Sequence, residues 1–454
     1  MNSTLALREE HWQNLIEALD LADETAAFIL AGNAADDREL TFYGRSLRWI
    51  PEEHYLERTA NSLIISSVGY VPSLGAAADD ASVPVFVHTH PQMSADPSPR
   101  DDGVDAVLRD PALIRSRASF YVSLIVAGTK EAPTFSGRVY DENGLVGELD
   151  RLRVVGNRIR LFHAESTDET DPNAEIFDRQ IRAFGEEGQK MLGRLRVGVV
   201  GVGGTGSAVF EQLVRNGVRQ LTVIDDDKVS PTNITRIHES GLGDDGRPKV
   251  DVAETVAERI GLSAEVTPID GRITDPEVAK SLRHLDVVFG CTDDERGRNT
   301  LAKLALTHLI PVFDMGFVID TNQDGSIRAL DGRVTRLLPG AGCLLCRQRI
   351  TPQGLSAEAL DPEERERRAG EGYVRALTRR DPAVGTFTTL IGSFAVNEML
   401  DRLFGYSEGA ATWSSTEFVL RLHDRRLSWN SRAPVGNHWC GNANNYGRGD
   451  TSTL

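Results

Sequence analysis

LRVGVVGVGGTGSAVFEQLVRNGVRQLTVIDDDKVSPTNITR, residues 195–236, decides how the larger part of the chain folds. An apolar strand with Val197, Val199 and Val200 runs into Gly201-Val202-Gly203-Gly204-Thr205-Gly206. A helical run follows with Ala208, Val209, Leu213 and Val214, and a second strand, Leu221–Ile224, ends in Asp225-Asp226-Asp227. Strand, glycine turn, helix and acid-tipped strand together make a nucleotide-binding unit. Gly201, Gly203, Gly204 and Gly206 let the backbone turn tightly and approach phosphate oxygens, and the helix start offers them unpaired N–H groups. Asp225 lies about twenty residues on, where such folds set a carboxylate against ribose hydroxyls.

The flanks of this stretch continue the pattern. Upstream, Phe177-Asp178-Arg179-Gln180-Ile181 and Glu187-Gly188-Gln189 lead through a helix expected from about Gly185 to Leu192. Downstream, Ser230-Pro231-Thr232-Asn233 and Arg236 precede Lys249, which opens an amphipathic helix with Val252, Ala253, Val256 and Ile260. Val266–Ile269 and Val287–Gly290 read as further buried strands, the latter ending in Cys291-Thr292-Asp293-Asp294. Strands alternating with helices imply an α/β doubly wound, mostly parallel sheet covered on both faces. Asp225 and Asp293 then meet at its carboxyl edge, where such sheets bind ligands. Cys291 reads as a buried small residue.

Residues 175–430 resemble the ThiF family of ubiquitin-activating-type adenylyltransferases, through DRQI, GVGGTG, DDD, SPTN-x-x-R, Lys249, CTDD, CLLC and the late helix Thr388–Ser393. The resemblance implies a Rossmann-like domain in which ATP and Mg²⁺ activate the C-terminal carboxylate of a ubiquitin-like or sulfur-carrier-like protein as an acyl-adenylate. It assigns Asp225 to the ribose, Asn233, Arg236 and Lys249 to the phosphates, and Asp293 to magnesium. It sends Arg179 into the site of the other subunit of a homodimer. Family members that form a thioester carry a cysteine just before the late helix; here no cysteine lies between Cys346 and Cys440, so adenylation without that step is expected. The family's structural zinc uses two Cys-x-x-Cys pairs. Cys343 and Cys346 supply one, and His438 with Cys440 is the candidate for the other, giving a Cys₃His set.

A second chemistry lies near the N-terminus. A helix is expected from His11 to Leu21, then a strand Ala26–Gly32, and further strands near Leu47–Ile50, Leu63–Ser66 and Val83–Val87. The last runs into His88-Thr89-His90-Pro91, with Ser98-Pro99-Arg100-Asp101 a short loop later. Histidines at i and i+2 on an extended chain point the same way. With Asp101 they complete a three-ligand set that leaves a fourth position for water, the arrangement of a catalytic zinc. Asp96 and Asp102 remain open as substitute ligands. The spacing resembles the JAMM (JAB/MPN) metalloproteases, which cleave ubiquitin-like proteins from their conjugates. That resemblance implies an α+β zinc-hydrolase domain with His88, His90 and Asp101 on the Zn²⁺, and Ser98 holding the oxyanion or the water. It makes Glu24 the general base, although the strand after Glu24 is one residue longer than usual for the family.

These readings set domains at 1–162 and 176–430, an acidic linker at 163–175, and a polar tail at 431–454 that takes part in a zinc site. Residues 358–380, dense in charge, read as a crossover near the active site. The length of 454 residues suits two or three domains, and a net charge of −17 argues against nucleic-acid binding. No run approaches a membrane span, no secretory signal opens the chain, and four cysteines suit a reducing, cytoplasmic home. The whole-chain expectation is a two-headed enzyme of a bacterial conjugation, defence or sulfur-carrier pathway, with a conjugating-enzyme homologue as a further partner. A non-catalytic scaffold for ubiquitin-like proteins and an NAD-dependent oxidoreductase are the alternatives.

Overall fold

Alternation along the N-terminal strands sends neighbouring side chains to two separate cores. The strands are β1 (Asn2–Arg8), β2 (Ala26–Ala35), β3 (Glu39–Trp49), β4 (Tyr55–Thr59), β5 (Ser62–Ile65), β6 (Val83–Pro91), β7 (Tyr121–Gly128), β8 (Pro133–Asp141), β9 (Gly144–Glu148), β10 (Arg151–Val155) and β11 (Ile159–His163). In this computed structural model, which describes residues 1–37, 39–164, 175–361, 364, 367, 382–407 and 415–451, nine of them form one mixed sheet, ordered β11-β10-β1-β3-β2-β6-β7-β8-β9. Ala27, Ile29, Val85 and Val87 face the core beneath helix α1 (Glu9–Glu17), with Trp12 and Leu15. Ala26, Phe28 and Phe86 face the other way, against Leu74 of α2 (Ser67–Asp79) and Leu108 and Ala112 of α3 (Pro99–Ser116). By the two-residue period, His88 and His90 project on this second face.

The expected elements are present with different bounds, and several are additional. The chain opens in a strand, β1, which pairs with β3 and β10, and the first helix spans Glu9–Glu17 rather than His11–Leu21. The strand near Leu47 is the end of the eleven-residue β3, and β6 runs on through both histidines to Pro91. Residues 151–162, whose apolar positions Val154, Val155, Ile159, Leu161 and Phe162 read as one strand, form an antiparallel pair, β10 and β11.

The second unit is built on an eight-stranded sheet. Its strands are β12 (Arg196–Val200), β13 (Gln220–Ile224), β14 (Glu265–Ile269), β15 (Val287–Gly290), β16 (Val312–Thr321), β17 (Ile327–Leu337), β18 (Glu417–Arg421) and β19 (Arg426–Asn430). The order is β14-β13-β12-β15-β16-β17-β18-β19, with β12 to β16 parallel and the rest antiparallel. The strand order reverses between β12 and β15, so the ligand crevice of a doubly wound sheet lies there. Helix α4 (Asp178–Arg194) is longer than expected and broken at Gly185, whose φ of 76° interrupts it. Helices α5 (Gly204–Arg215), α6 (Lys249–Ile260), α7 (Pro276–Lys280), α8 (Glu295–Thr307), α9 (Pro352–Glu358) and α10 (Gly385–Phe404) follow. Helix α10 lies along α5, and Gly392 permits it: a Cβ there would sit 3.2 Å from the Thr205 carbonyl.

Contacts divide the chain into Met1–Asp168 with Thr307–Leu309 and Ala443–Thr453, and a second unit holding the rest up to Asn442. The polar tail expected as one piece is therefore shared. Within the first unit it lies against β2 and β3, where Gly32 N–H donates to the Gly447 carbonyl at 3.1 Å. Arg45 reaches the Tyr446 and Asn444 carbonyls at 3.3 and 3.0 Å. Most of the acidic linker and of the charged crossover falls outside the described residues. Among the described residues no helix is long and apolar enough to cross a membrane.

Candidate active sites

In the first unit, β2 and β6 run antiparallel with Ala26 opposite His88. Continuing the pairing, Thr89 N–H donates to the Thr25 carbonyl and Glu24 falls across from His90. Sheet geometry thereby puts Glu24, His88 and His90 on one face. Glu24 Oε1 lies 3.9 Å from His90 Nε2. Asp101 arrives from the first turn of α3, whose N-cap is Ser98: the Ser98 hydroxyl accepts from Asp101 N–H, and Asp101 Oδ2 accepts from Ser98 N–H at 2.6 Å. This reciprocal cap leaves Asp101 Oδ1 3.0 Å from His88 Nε2 and Oδ2 3.8 Å from His90 Nε2.

The two Nε2 atoms are 3.1 Å apart, and one ligand atom from each of His88, His90 and Asp101 lies within 4.8 Å of the others. A tetrahedral zinc with bonds of about 2.0–2.1 Å spaces its nitrogen and oxygen ligands roughly 3.3 Å apart, so the set fits that ion. His90 Nδ1 is 3.2 Å from the Ser94 carbonyl, which fixes its Nε2 towards the cluster. His88 Nδ1 is buried with no hydrogen-bond partner among the described residues. Burial alone would raise the Asp101 pKa, but hydrogen bonds with His88, His90 and Ser98 outweigh it and hold this carboxylate well below its usual range. Burial raises the Glu24 carboxyl, with the two imidazoles opposing the shift. Asp96 pairs instead with Ser94 and Asp102 with Arg138, both on the surface, so of the three acids only Asp101 joins the histidines.

In the second unit the glycine loop closes on itself. Gly201 has φ 87°, and a Cβ on Gly206 would stand 1.8 Å from the Gly201 carbonyl oxygen. Gly206→Ala is thus expected to displace the loop from the start of α5. The cost is at the upper end of the roughly 1–3 kcal/mol typical of overpacking, read as a lower melting temperature together with lost ATP binding.

Asp225, at the end of β13, accepts from Val202 N–H at 2.8 Å and Asp227 N–H at 2.9 Å. Lys249, the first residue of α6, reaches both Asp225 (3.3 Å) and Asp227 (2.7 Å). Burial raises the Asp225 pKa, and Lys249 works against it. Asn233 is buried in the turn before Arg236, its Oδ1 accepting from Ser230 N–H at 3.3 Å. The aliphatic part of Arg236 covers Gly204, 3.1 Å from a Cβ placed there, so its guanidinium stands over the start of α5. Asp293 is exposed in the loop after β15, and Arg179 is exposed in the first turn of α4. Cys291 is half-buried, and burial pushes its thiol pKa up.

A group absent from the sequence reading underlies this loop. Asp314, fully buried on β16 and opposite Gly290, is held by Arg333 at 2.6 Å, with Arg298 Nε 3.6 Å away. Arg298 also donates to the Thr292 carbonyl at 3.0 Å, immediately before Asp293. The signal was a lone acid in an apolar strand, Pro311-Val312-Phe313-Asp314-Met315.

Cys343, Cys346, His438 and Cys440 form another cluster, of four donors. Neighbouring donors are 4.0 Å (Cys343–Cys346), 3.6 Å (Cys343–His438), 3.5 Å (Cys346–Cys440) and 3.1 Å (His438–Cys440) apart. A tetrahedron with bonds of about 2.3 Å has edges of roughly 3.8 Å, so these donors also fit zinc. The hydrogen bond with Cys440 holds the Cys343 thiol below its usual range, so one thiolate is already favoured here.

The sequence is 34% identical over 161 residues to the molybdopterin-synthase adenylyltransferase of Salmonella typhimurium, covering 35% of this chain and 61% of that protein. It is 31% identical over 178 residues to the Escherichia coli K12 protein of the same name, covering 38% of this chain and 68% of that one. It is 30% identical over 162 residues to the SAMP-activating enzyme E1 of Haloferax volcanii, covering 36% and 56%. The chain thus spans less than two thirds of the first and third of these relatives. Among solved structures, E. coli MccB with ATP aligns over 59% of this chain and 75% of that one, with 15% identity and a TM-score of 0.45. The sequence model of the ThiF family matches residues 177–438, more than half of the chain, and the chain belongs to the ThiF family.

Proposed function

We propose that this chain is a two-headed enzyme acting on one ubiquitin-like or sulfur-carrier-like protein: its second unit adenylates the partner's C-terminal glycine carboxylate, and its first cleaves the bond after that glycine. The reading is carried by a single conjunction. A member of an adenylyltransferase family also carries a buried His₂Asp cluster with a glutamate beside it. The steps are chemically sequential, since hydrolysis yields the free carboxylate that ATP activates. Fusion keeps the two sites at high local concentration.

For adenylation, the partner's carboxylate oxygen attacks the α-phosphorus and pyrophosphate leaves. Asp225 would take the ribose hydroxyls, and the N–H groups at the start of α5 would face the phosphates. Arg236 and Lys249 would offset the charge that builds on the phosphate oxygens, Lys249 exchanging Asp227 for phosphate. Asn233 would hold a phosphate oxygen from its buried turn. Asp293 suits Mg²⁺, which binds through one or two carboxylates plus phosphates and water. Arg179 would serve the neighbouring site of a homodimer. With no cysteine between Cys346 and Cys440, the adenylate would pass to sulfur or an amine without an internal thioester in that segment.

For cleavage, His88, His90 and Asp101 would hold Zn²⁺, which supplies a Lewis acid and lowers the pKa of a bound water. Glu24 would accept the proton of the attacking water and hand it to the leaving amine. Ser98 would steady the oxyanion. ATP–pyrophosphate exchange that depends on a ubiquitin-like protein ending in glycine tests the adenylation half; NAD turnover without exchange would overturn it. Zinc-dependent release of a peptide fused after that glycine tests the other half.

Cys343, Cys346, His438 and Cys440 would hold a structural zinc. Metal at a thousandfold excess over its Kd contributes about 4 kcal/mol, about 10 °C for a domain of this size. Cys346→Ser is expected to remove one zinc per chain and that much melting temperature, with cleavage of a peptide fusion retained. Unchanged zinc content would overturn this assignment.

A further inference from the structure

Strand β8 has no part in the mechanism above, yet three of its side chains converge on the segment that delivers Asp101. Ser136, Arg138 and Tyr140 alternate along one face of β8. Their β7 partners are Ile125, Ser123 and Tyr121, and Ile125 and Ser123 in turn pair with His88 and Phe86 of β6. This is the face of the candidate zinc site. Ser136 donates to the Ala95 carbonyl, next to Ser94, whose own carbonyl faces His90 Nδ1. Arg138 Nη1 reaches Asp102 Oδ1 at 2.8 Å and Asp105 Oδ2 at 3.2 Å. The Tyr140 hydroxyl donates to Asp105 Oδ2 at 2.9 Å.

Asp105 is only 5% exposed, and it stands one turn below Asp101 on the same face of α3. A carboxylate at that depth costs several kcal/mol unless it is paired, so α3 is held at the rotation that keeps Asp105 against Arg138 and Tyr140. A helical side chain ends about 5–6 Å from the axis, so a 10° rotation moves it by about 1 Å. A functional constellation tolerates about 0.5 Å. We infer that Ser136, Arg138 and Tyr140 are positioning residues that set the Asp101 carboxylate against His88 and His90, and so tune the metal affinity of that site. The inference rests on the zinc reading of the cluster.

The test is made on the full chain, by competition for Zn²⁺ against a chromophoric chelator, following the zinc that His88→Ala removes. A visible absorption spectrum of the Co²⁺-substituted protein accompanies it. Arg138→Gln and Tyr140→Phe are each expected to weaken that zinc by about tenfold to a hundredfold and to shift the Co²⁺ bands. Arg138→Lys, which keeps a cation against Asp105, should recover part of the affinity. If Arg138→Gln does not fold, Tyr140→Phe and Ser136→Ala decide, since each removes a single hydroxyl. Unchanged affinity and spectrum in these variants, beside a wild type that binds the His88-dependent zinc, overturns the inference and leaves the zinc reading standing. A wild type with no His88-dependent zinc overturns both.

Discussion

His88→Ala is expected to abolish zinc-dependent cleavage after the C-terminal glycine of a ubiquitin-like fusion, with ATP–pyrophosphate exchange retained. Lewis-acid stabilisation is worth several kcal/mol, so loss of the metal should cost about a thousandfold or more in rate. His88 is also a buried side chain stacked on Phe86, and its removal leaves a cavity that could mimic a loss of function by unfolding. Asp101→Asn answers that objection. The amide oxygen can still accept from Ser98 N–H and preserve much of the α3 cap, while the charge that favours a cation is gone. Glu24→Gln separates the roles further: zinc content should stay at the wild-type level while turnover falls by about 10²–10⁴, the usual worth of a general base. Cleavage at the wild-type rate in His88→Ala and Asp101→Asn would remove the hydrolase reading. Lost zinc in Glu24→Gln would make Glu24 a ligand rather than a base.

What could be read from the chain depended on how local each signal was. β12, β13 and β15 were legible because a parallel strand buried on both faces is a continuous apolar run, as Val197 to Val200 and Val287 to Gly290 are. Helices α2 and α3 were not. The first carries Gly69, Pro72 and Gly75, the second Gly103 and Pro111, residues that lower the helical signal of both segments. Strand β1 is seven residues of mixed character whose partners lie some 37 and 147 positions away by register. The stretch from Ala443 reads by composition only as polar tail, yet the buried Arg45 gathers two of its carbonyls.

The sites follow the same rule. His88, His90 and Asp101 sit within fourteen residues and carry a spacing that can be recognised. Glu24 meets them only through the β2–β6 pairing, and Arg138, on β8 two places from β6 in the sheet, only through Asp105 of the helix that carries Asp101. Asp314 needed the sheet order as well, because β16 brings it beside Gly290 across twenty-four residues of chain.

In the second unit, Arg236→Ala and Lys249→Ala are each expected to lower ATP–pyrophosphate exchange by about 10²–10³, the cost of losing one preorganised group at a developing charge. The two substitutions should differ in what else they change. Among the described residues Arg236 donates to the Thr232 carbonyl at 2.7 Å and lies over Gly204 at the protein surface, so its loss should leave the melting temperature close to wild type. Lys249 is nearly buried and stands 3.3 Å from the carboxylate of the largely buried Asp225. Removing it leaves a carboxylate whose pKa burial already raises, with the main opposing charge gone. A pKa raised on folding favours the folded state below the unfolded carboxylate pKa, and that contribution is lost as pH rises from there through the higher folded pKa. Lys249→Ala should therefore be less stable at pH 7 than Arg236→Ala, and part of the difference should disappear near pH 4. Asp225→Asn combined with Lys249→Ala should recover that stability without recovering exchange, because the amide needs no counter-charge but the phosphates still do. Exchange within about fivefold of wild type in both single variants (under about 1 kcal/mol) would mean that neither side chain meets the phosphates.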